Sequence, residues 1–241
     1  MGQAILWGAF AGSSILIGAL AAIFFQIPKR AVGWIMSFGT GILIGAASFD
    51  LLEESLEGGG MTATSLGFLG GALLFTVSEL IIASKGGHKR KRSEKNPENH
   101  SGISIFIGSI IDAIPESVII GVSILQQGTV SVLMVIAVFI SNFPEGLSST
   151  SGLLKDGYSR RKVLLMWIIV VALATGSSML GYSFLQEASP ALTASIGAFA
   201  AGGIIAMVAA TMMPEAFEEG GPIVGMITAL GVLCSMILTQ V

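Results

Sequence analysis

At 241 residues, with 53% hydrophobic and only 11% charged side chains, the chain is far from the roughly one-quarter charged composition of soluble domains. A mean hydropathy of +0.84 points to one bundle embedded in a bilayer and excludes an ordinary water-soluble domain. The single cysteine, Cys234, excludes a disulfide framework and any multi-thiolate metal centre, and the net charge of −3 matters less than where the charges fall.

A hydrocarbon core needs about 20 apolar residues per helix. Eight stretches qualify, at about 3–27, 31–56, 62–84, 102–126, 129–154, 160–185, 190–217 and 221–240. The predicted fold class is therefore all-α: a polytopic membrane protein, a bundle of eight transmembrane helices forming a single domain over 1–241. The first stretch is uncharged from Met1 to Pro28 and follows no Lys or Arg, so it is expected to be a permanent helix rather than a signal peptide. Lys29 and Arg30 close it. After the third comes the one clear interruption, the polar, Pro-containing run 86–101, expected to be a flexible cytoplasmic loop. It holds both histidines, His88 and His100, which read as solvated loop residues or as weak metal captors.

All twelve Lys and Arg residues lie in three clusters, after predicted helices 1, 3 and 5. They are Lys29 and Arg30; Lys85, Lys89, Arg90, Lys91, Arg92 and Lys95; and Lys155, Arg160, Arg161 and Lys162. By the positive-inside rule these ends are cytoplasmic and both termini are on the non-cytoplasmic side of the cell membrane. The run Lys89–Arg92 reads as a topology signal, with contact to anionic lipid as a second reading.

Two internal repeats appear. At an offset of 161, Phe38, Gly41, Ile44, Glu54, Glu57, Gly59 and Gly60 match Phe199, Gly202, Ile205, Glu215, Glu218, Gly220 and Gly221. Predicted helices 2 and 7 cross in opposite directions, so the match predicts an inverted repeat, with helices 1–3 and 6–8 around helices 4–5. Chance is the alternative, Gly and Phe being common in this chain. At an offset of 29, Asp112-Ala-Ile-Pro-Glu116-Ser on helix 4 matches Ser141-Asn142-Phe-Pro-Glu145-Gly on helix 5.

The second repeat carries chemistry. Pro115 and Pro144 each remove a backbone donor and free the carbonyl one turn earlier, at Ile111 and Ile140. Asp112 and Glu116 are spaced i, i+4 on one helix face, and Ser141 and Glu145 repeat that spacing on a helix expected to be its antiparallel neighbour. A carboxylate at mid-membrane costs roughly 2.5–3.5 kcal/mol even on the lenient insertion scale. Ser, Thr or Asn would hold helices together at less cost. Acids at that depth with no Lys or Arg beside them point to a cation from outside.

The two motifs resemble those of the ZIP (Zrt/Irt-like) family of divalent metal transporters, which carry paired His-Asn-x-Pro-Glu-Gly-like sequences on helices 4 and 5. Leu154–Lys162, Phe49-Asp50-Leu-Leu-Glu-Glu-Ser-Leu and Met213-Pro214-Glu215 also resemble family segments, so the likeness covers nearly the whole chain. It implies eight membrane helices in one transport domain with external termini, and an elevator-like movement of helices 4 and 5 with their neighbours. Three positions depart from the pattern. Asp112 stands where the family has a metal-binding His, Ala113 where it has Asn, and Ser141 where it often has His or Gln. Carried over residue by residue, the implied metal ligands are Asp112, Glu116, Ser141, Asn142 and Glu145, with Glu215 facing the site or the exit. All are oxygen donors. Oxygen sites suit Mn²⁺ and tolerate Fe²⁺, whereas family membership favours Zn²⁺.

The expected function is thus transport of zinc, or of Mn²⁺ or Fe²⁺, toward the cytoplasm, and not an enzyme activity. Asp50 and Glu53 are the candidates for metal access at the outer mouth, where Glu54, Glu57 and Glu187 could also concentrate cations and Glu54 and Glu57 read nearly as well as solvated helix ends. Glu79 reads as part of the exit path or as an interfacial residue. The partners implied are the divalent ion as transported substrate and the lipid bilayer, with no nucleic acid; a homodimer is compatible. Two other readings stay open: a proton- or sodium-coupled carrier of a small solute, and a transport-inactive metal-sensing homologue.

Overall fold

The computed structural model describes residues 1–84 and 101–239. The interhelical run 86–101, with His88, His100 and the basic run Lys89–Arg92, lies outside the described residues except for Ser101, as do Lys85 and Lys95.

Long apolar stretches with few breaks make nearly all described residues helical, and no strand occurs among them. The helices are α1 (Gly2–Phe24), α2 (Lys29–Gly45), α3 (Glu53–Ser84), α4 (Ser101–Gln127), α5 (Val132–Lys155), α6 (Arg160–Phe184), α7 (Pro190–Met207), α8 (Met213–Gly220) and α9 (Val224–Leu238). Three begin on a serine cap. Ser131, Ser159 and Ser189 each accept a hydrogen bond from the backbone N–H three residues on, satisfying one of the orphan donors of a helix start.

Among the described residues six helical segments are long and apolar enough to cross a membrane. They are Gly2–Phe24, Lys29–Ser84, Ile105–Leu125, Val132–Lys155, Arg160–Phe184 and Pro190–Gly220. Val224–Leu238 is a shorter apolar helix. Lys29–Ser84 is too long for one crossing: straight, its 56 residues would reach about 84 Å against a hydrocarbon core of about 30 Å. It breaks at Gly60, where φ is 69° and ψ 174°, a conformation essentially reserved for glycine.

Two π-helical segments, Ala46–Leu52 and Val208–Met212, interrupt the α2–α3 and α7–α8 runs. Pro214 sits at the start of α8 and lacks the N–H that an α-helix would use there, which accounts for the second. No proline accompanies the first.

Geometry recurs at the spacing of the longer sequence repeat. Gly221 has φ 75° and ψ −167°, close to the conformation of Gly60. A Cβ on Gly41 would overlap the Thr228 carbonyl and one on Gly202 the Phe68 carbonyl. In return, Gly231 lies against the carbonyl of Phe38 and Gly71 against that of Phe199. So α2 is locked onto α9, and α7 onto α3, by glycine–carbonyl contacts at positions that match across the repeat to within one residue.

The helices sort into two groups. In one, α5 packs on α1, α4 on α6, and α1 on α6; in the other, α3 packs on α7, and α2 on both α9 and α8; α2 also packs on α5, as extensively as on α8, and so joins the two groups. The sequence leads one to expect α4 and α5 side by side, but they touch only lightly. Glycines decide this. Gly18 of α1 and Gly146 of α5 each face a carbonyl on the other helix, Phe143 and Ile15, while Gly121 of α4 and Gly181 of α6 do the same with Ser178 and Val118. Close backbone approach of this kind is how helices associate where lipid supplies no hydrophobic drive.

Candidate metal site

The candidate ligands lie on the two helices with an internal proline, and they are buried. Asp112, Glu116, Ser141 and Glu145 are all but inaccessible, and Asn142, the most open of the five, is 5% exposed. Pro115 and Pro144 lie inside α4 and α5, one residue before each glutamate. Gly39 of α2 approaches the backbone of Ile140 and Ser141, so α2 meets α5 about one turn before Pro144.

A side-chain hydrogen bond joins the two motif helices. Ser109 Oγ of α4 donates to Glu145 Oε1 of α5 at 2.6 Å, with both side chains buried. Ser109, Asp112 and Glu116 are spaced i, i+3, i+7 and share one face of α4. Glu145 is therefore held against the helix face that presents Asp112 and Glu116. Asp112, Glu116 and Pro115 line a largely apolar, partly open cavity of about 210 Å³, together with Phe75 and Ser78 of α3 and Phe199 and Met207 of α7. Ser141 donates to the Val138 carbonyl of its own helix at 3.1 Å; its oxygen keeps lone pairs for a further partner. Among the described residues no three Asp, Glu, His or Cys side chains converge closely enough to hold a metal ion by themselves. Hydroxyl, amide and carbonyl oxygens beside these carboxylates, or water, would complete the shell of an ion held here.

Two outlying acids pair with serines, one in α5 and one at its N-cap. Ser148 Oγ donates to Glu215 Oε1 at 2.5 Å, and Ser131 Oγ to Asp50 Oδ2 at 2.5 Å. Ser148 is one turn beyond Glu145, so Glu215 stands beside the central motif. Ser131 precedes Ser141 by ten residues, about 15 Å of helix rise, which sets Asp50 well apart. Asp50 lies within the first π segment and is half-buried, whereas Glu53, the first residue of α3, is exposed. Glu79 is half-buried on α3.

Sequence reasoning passed over Ser109, Ser131 and Ser148. The signal for two of them was present: Ser109 extends the Asp112/Glu116 stripe by one turn backward, and Ser148 extends the Ser141/Glu145 stripe by one turn forward. For Ser131 there was none, because its partner is more than 80 positions away.

A bundle of apolar helices carrying acids at buried, lipid-depth positions defines a polytopic membrane protein of the transport class. The particular family follows from comparison: residues 82–239 match the family model described as ZIP Zinc transporter, and the chain belongs to that family, one of transporters and not of enzymes. The chain is also similar to the Arabidopsis thaliana protein named "Putative zinc transporter At3g08650", with 27% identity over 209 residues. The match takes in 86% of this chain and 33% of the plant protein, so the chain spans about a third of the length of that relative.

Proposed function

We propose that this chain carries a divalent metal cation across the cell membrane toward the cytoplasm, through an oxygen-donor site between α4 and α5. The observation that carries the reading is the Ser109–Glu145 bond, because it ties the second glutamate to the face of α4 that bears Asp112 and Glu116. Asp112, Glu116, Ser141, Asn142 and Glu145 are the proposed ligands, with Glu215 next in line on the inner side and Asp50 and Glu53 at the outer mouth. Zinc is the first candidate, in keeping with the family and with the name of the plant relative. The oxygen-only ligand set equally suits Mn²⁺ or Fe²⁺.

The same reading has eight crossings, obtained by dividing Lys29–Ser84 at Gly60 and counting Val224–Leu238. Two contacts support the pairing of helix ends in this topology, while the basic clusters alone orient it with both termini non-cytoplasmic. Asp50 and Ser131 both belong to predicted outer ends, Glu215 and Ser148 both to predicted inner ends, and each pair meets. The matched backbone at Gly60 and Gly221, and the matched glycine–carbonyl locks of α2–α9 and α7–α3, support an inverted repeat. In this arrangement α1, α4, α5 and α6 form the moving body and α2, α3 and α7–α9 the scaffold.

Zinc and manganese uptake into liposomes containing Glu116→Ala or Glu145→Ala tests the site. Both substitutions should abolish uptake, and unchanged rates in both would refute the assignment. Uptake should also fall as pH drops, since carboxylates bind metal only when deprotonated. Binding without flux would assign the chain to metal sensing instead.

A further inference from the structure

Serine hydroxyls inside helices usually turn back on their own backbone. Ser14, Ser37, Ser123, Ser141 and Ser151 all do so, each donating to a carbonyl three or four residues earlier. Ser109 behaves differently. Its buried Oγ leaves α4 and gives its proton to Glu145 of α5. The acceptor is one of the proposed ligands, and the donor is not part of either Pro-Glu motif.

We propose that Ser109 is a positioning residue that fixes the Glu145 carboxylate for the ion and keeps the site's donors hard. The inference rests on the metal-transport reading above. Packing alone does not fix this seam, because α4 is seated chiefly on α6 and α5 chiefly on α1. A short bond from a hydroxyl to a carboxylate restricts rotation of the carboxylate and is stronger than a neutral pair. It uses one of about four lone-pair sites on Glu145, so acceptor capacity for a cation remains. Ser109 adds no charge and brings oxygen rather than nitrogen or sulfur. With Asp112 in the place of the family's His, the α4 face around Glu145 then carries carboxylate and hydroxyl oxygens and no soft donor.

The test is a set of Ser109 variants assayed for Mn²⁺ and Zn²⁺ uptake in proteoliposomes. Ser109→Ala should raise KM for Mn²⁺ about tenfold while the maximal rate stays within about twofold, the size expected for losing one hydrogen bond to a charged group. Ser109→Thr restores the hydroxyl and should bring KM back to within about threefold. Ser109→Cys puts a soft donor at the seam and should move the Zn²⁺/Mn²⁺ preference toward zinc by roughly fivefold or more. A merely structural serine would not move that ratio. If Ser109→Ala does not fold, the Cys and Thr variants decide alone. An unchanged ion preference in Ser109→Cys, with KM in the remaining variants unmoved, overturns the inference. Glu116→Ala and Glu145→Ala run beside them keep the two claims separate: full uptake there sinks the metal site itself, whereas lost uptake there with silent Ser109 variants sinks only the role of Ser109.

Discussion

Ser148 and Glu215 meet side chain to side chain, Oγ to Oε1 at 2.5 Å, one turn of α5 beyond Glu145. Glu215 itself follows the second π segment, on α8. The pair thus links the helix bearing the second Pro-Glu motif to the opposite group of helices, next to where an ion would leave. Glu215→Gln keeps an acceptor for Ser148 and removes the charge. Its maximal uptake rate should fall roughly tenfold with KM changed less than about threefold, the pattern for a step after binding. Uptake at graded metal concentrations reads both. A KM rise of equal size would make Glu215 a ligand of the central site.

The glycine contacts inside the α1–α4–α5–α6 group predict where a methyl group is least tolerated. A Cβ on Gly146 would collide with the Ile15 backbone, whereas one on Gly176 meets nothing within 4 Å. Gly146→Ala should therefore destabilise by about 1–3 kcal/mol, the usual range for overpacking. Gly176→Ala should be neutral or stabilising by up to about 1 kcal/mol, since Ala is the better helix former. Thermal unfolding in detergent compares them, and equal midpoints would contradict the packing described.

Gly60 and Gly221 ask for the same substitution at two matched places. Their φ values of 69° and 75° are unfavourable for any residue with a Cβ, although space around both is open. Alanine at either should cost about 1–3 kcal/mol from backbone strain alone. Unfolding midpoints should drop alike in the two single variants. A loss confined to one would separate the two halves that the repeat pairs.

Much of the fold is legible in sequence because lipid imposes so simple a rule: long apolar runs must be helices. The predicted and observed ends of α4, α5 and α6 agree to within a few residues for that reason. The turn at Gly60 and its counterpart at Gly221 can be read from consecutive glycines. The π segments cannot, at least not Ala46–Leu52, which has no proline to mark it. Partner choice is equally hidden: nothing in the spacing of Gly18, Gly121, Gly146 and Gly181 says which carbonyl each will face. At the site, the Pro-Glu motifs declare their carboxylates, since acids in apolar runs stand out. Ser109 and Ser148 show only as one-turn extensions of the motif stripes, and Ser131 does not show at all, because its partner Asp50 is 81 positions away.

Asp112 gives the sharpest prediction about the ion. It stands where members of the family carry a metal-binding His, and the described ligand candidates contain no nitrogen heterocycle. Asp112→His replaces one carboxylate by imidazole, lowering the negative charge of the site and adding a donor that zinc prefers. Zn²⁺ should gain about tenfold over Mn²⁺ in the ratio of uptake KM values, because imidazole suits zinc and carboxylate suits manganese. The gain should fade below about pH 6.5, where a free imidazole takes a proton and stops binding metal. Competition of Zn²⁺ against Mn²⁺ uptake at two pH values measures both effects. An unaltered ratio at neutral pH would mean that Asp112 touches no ion on its way through, and its burial would then need another cause.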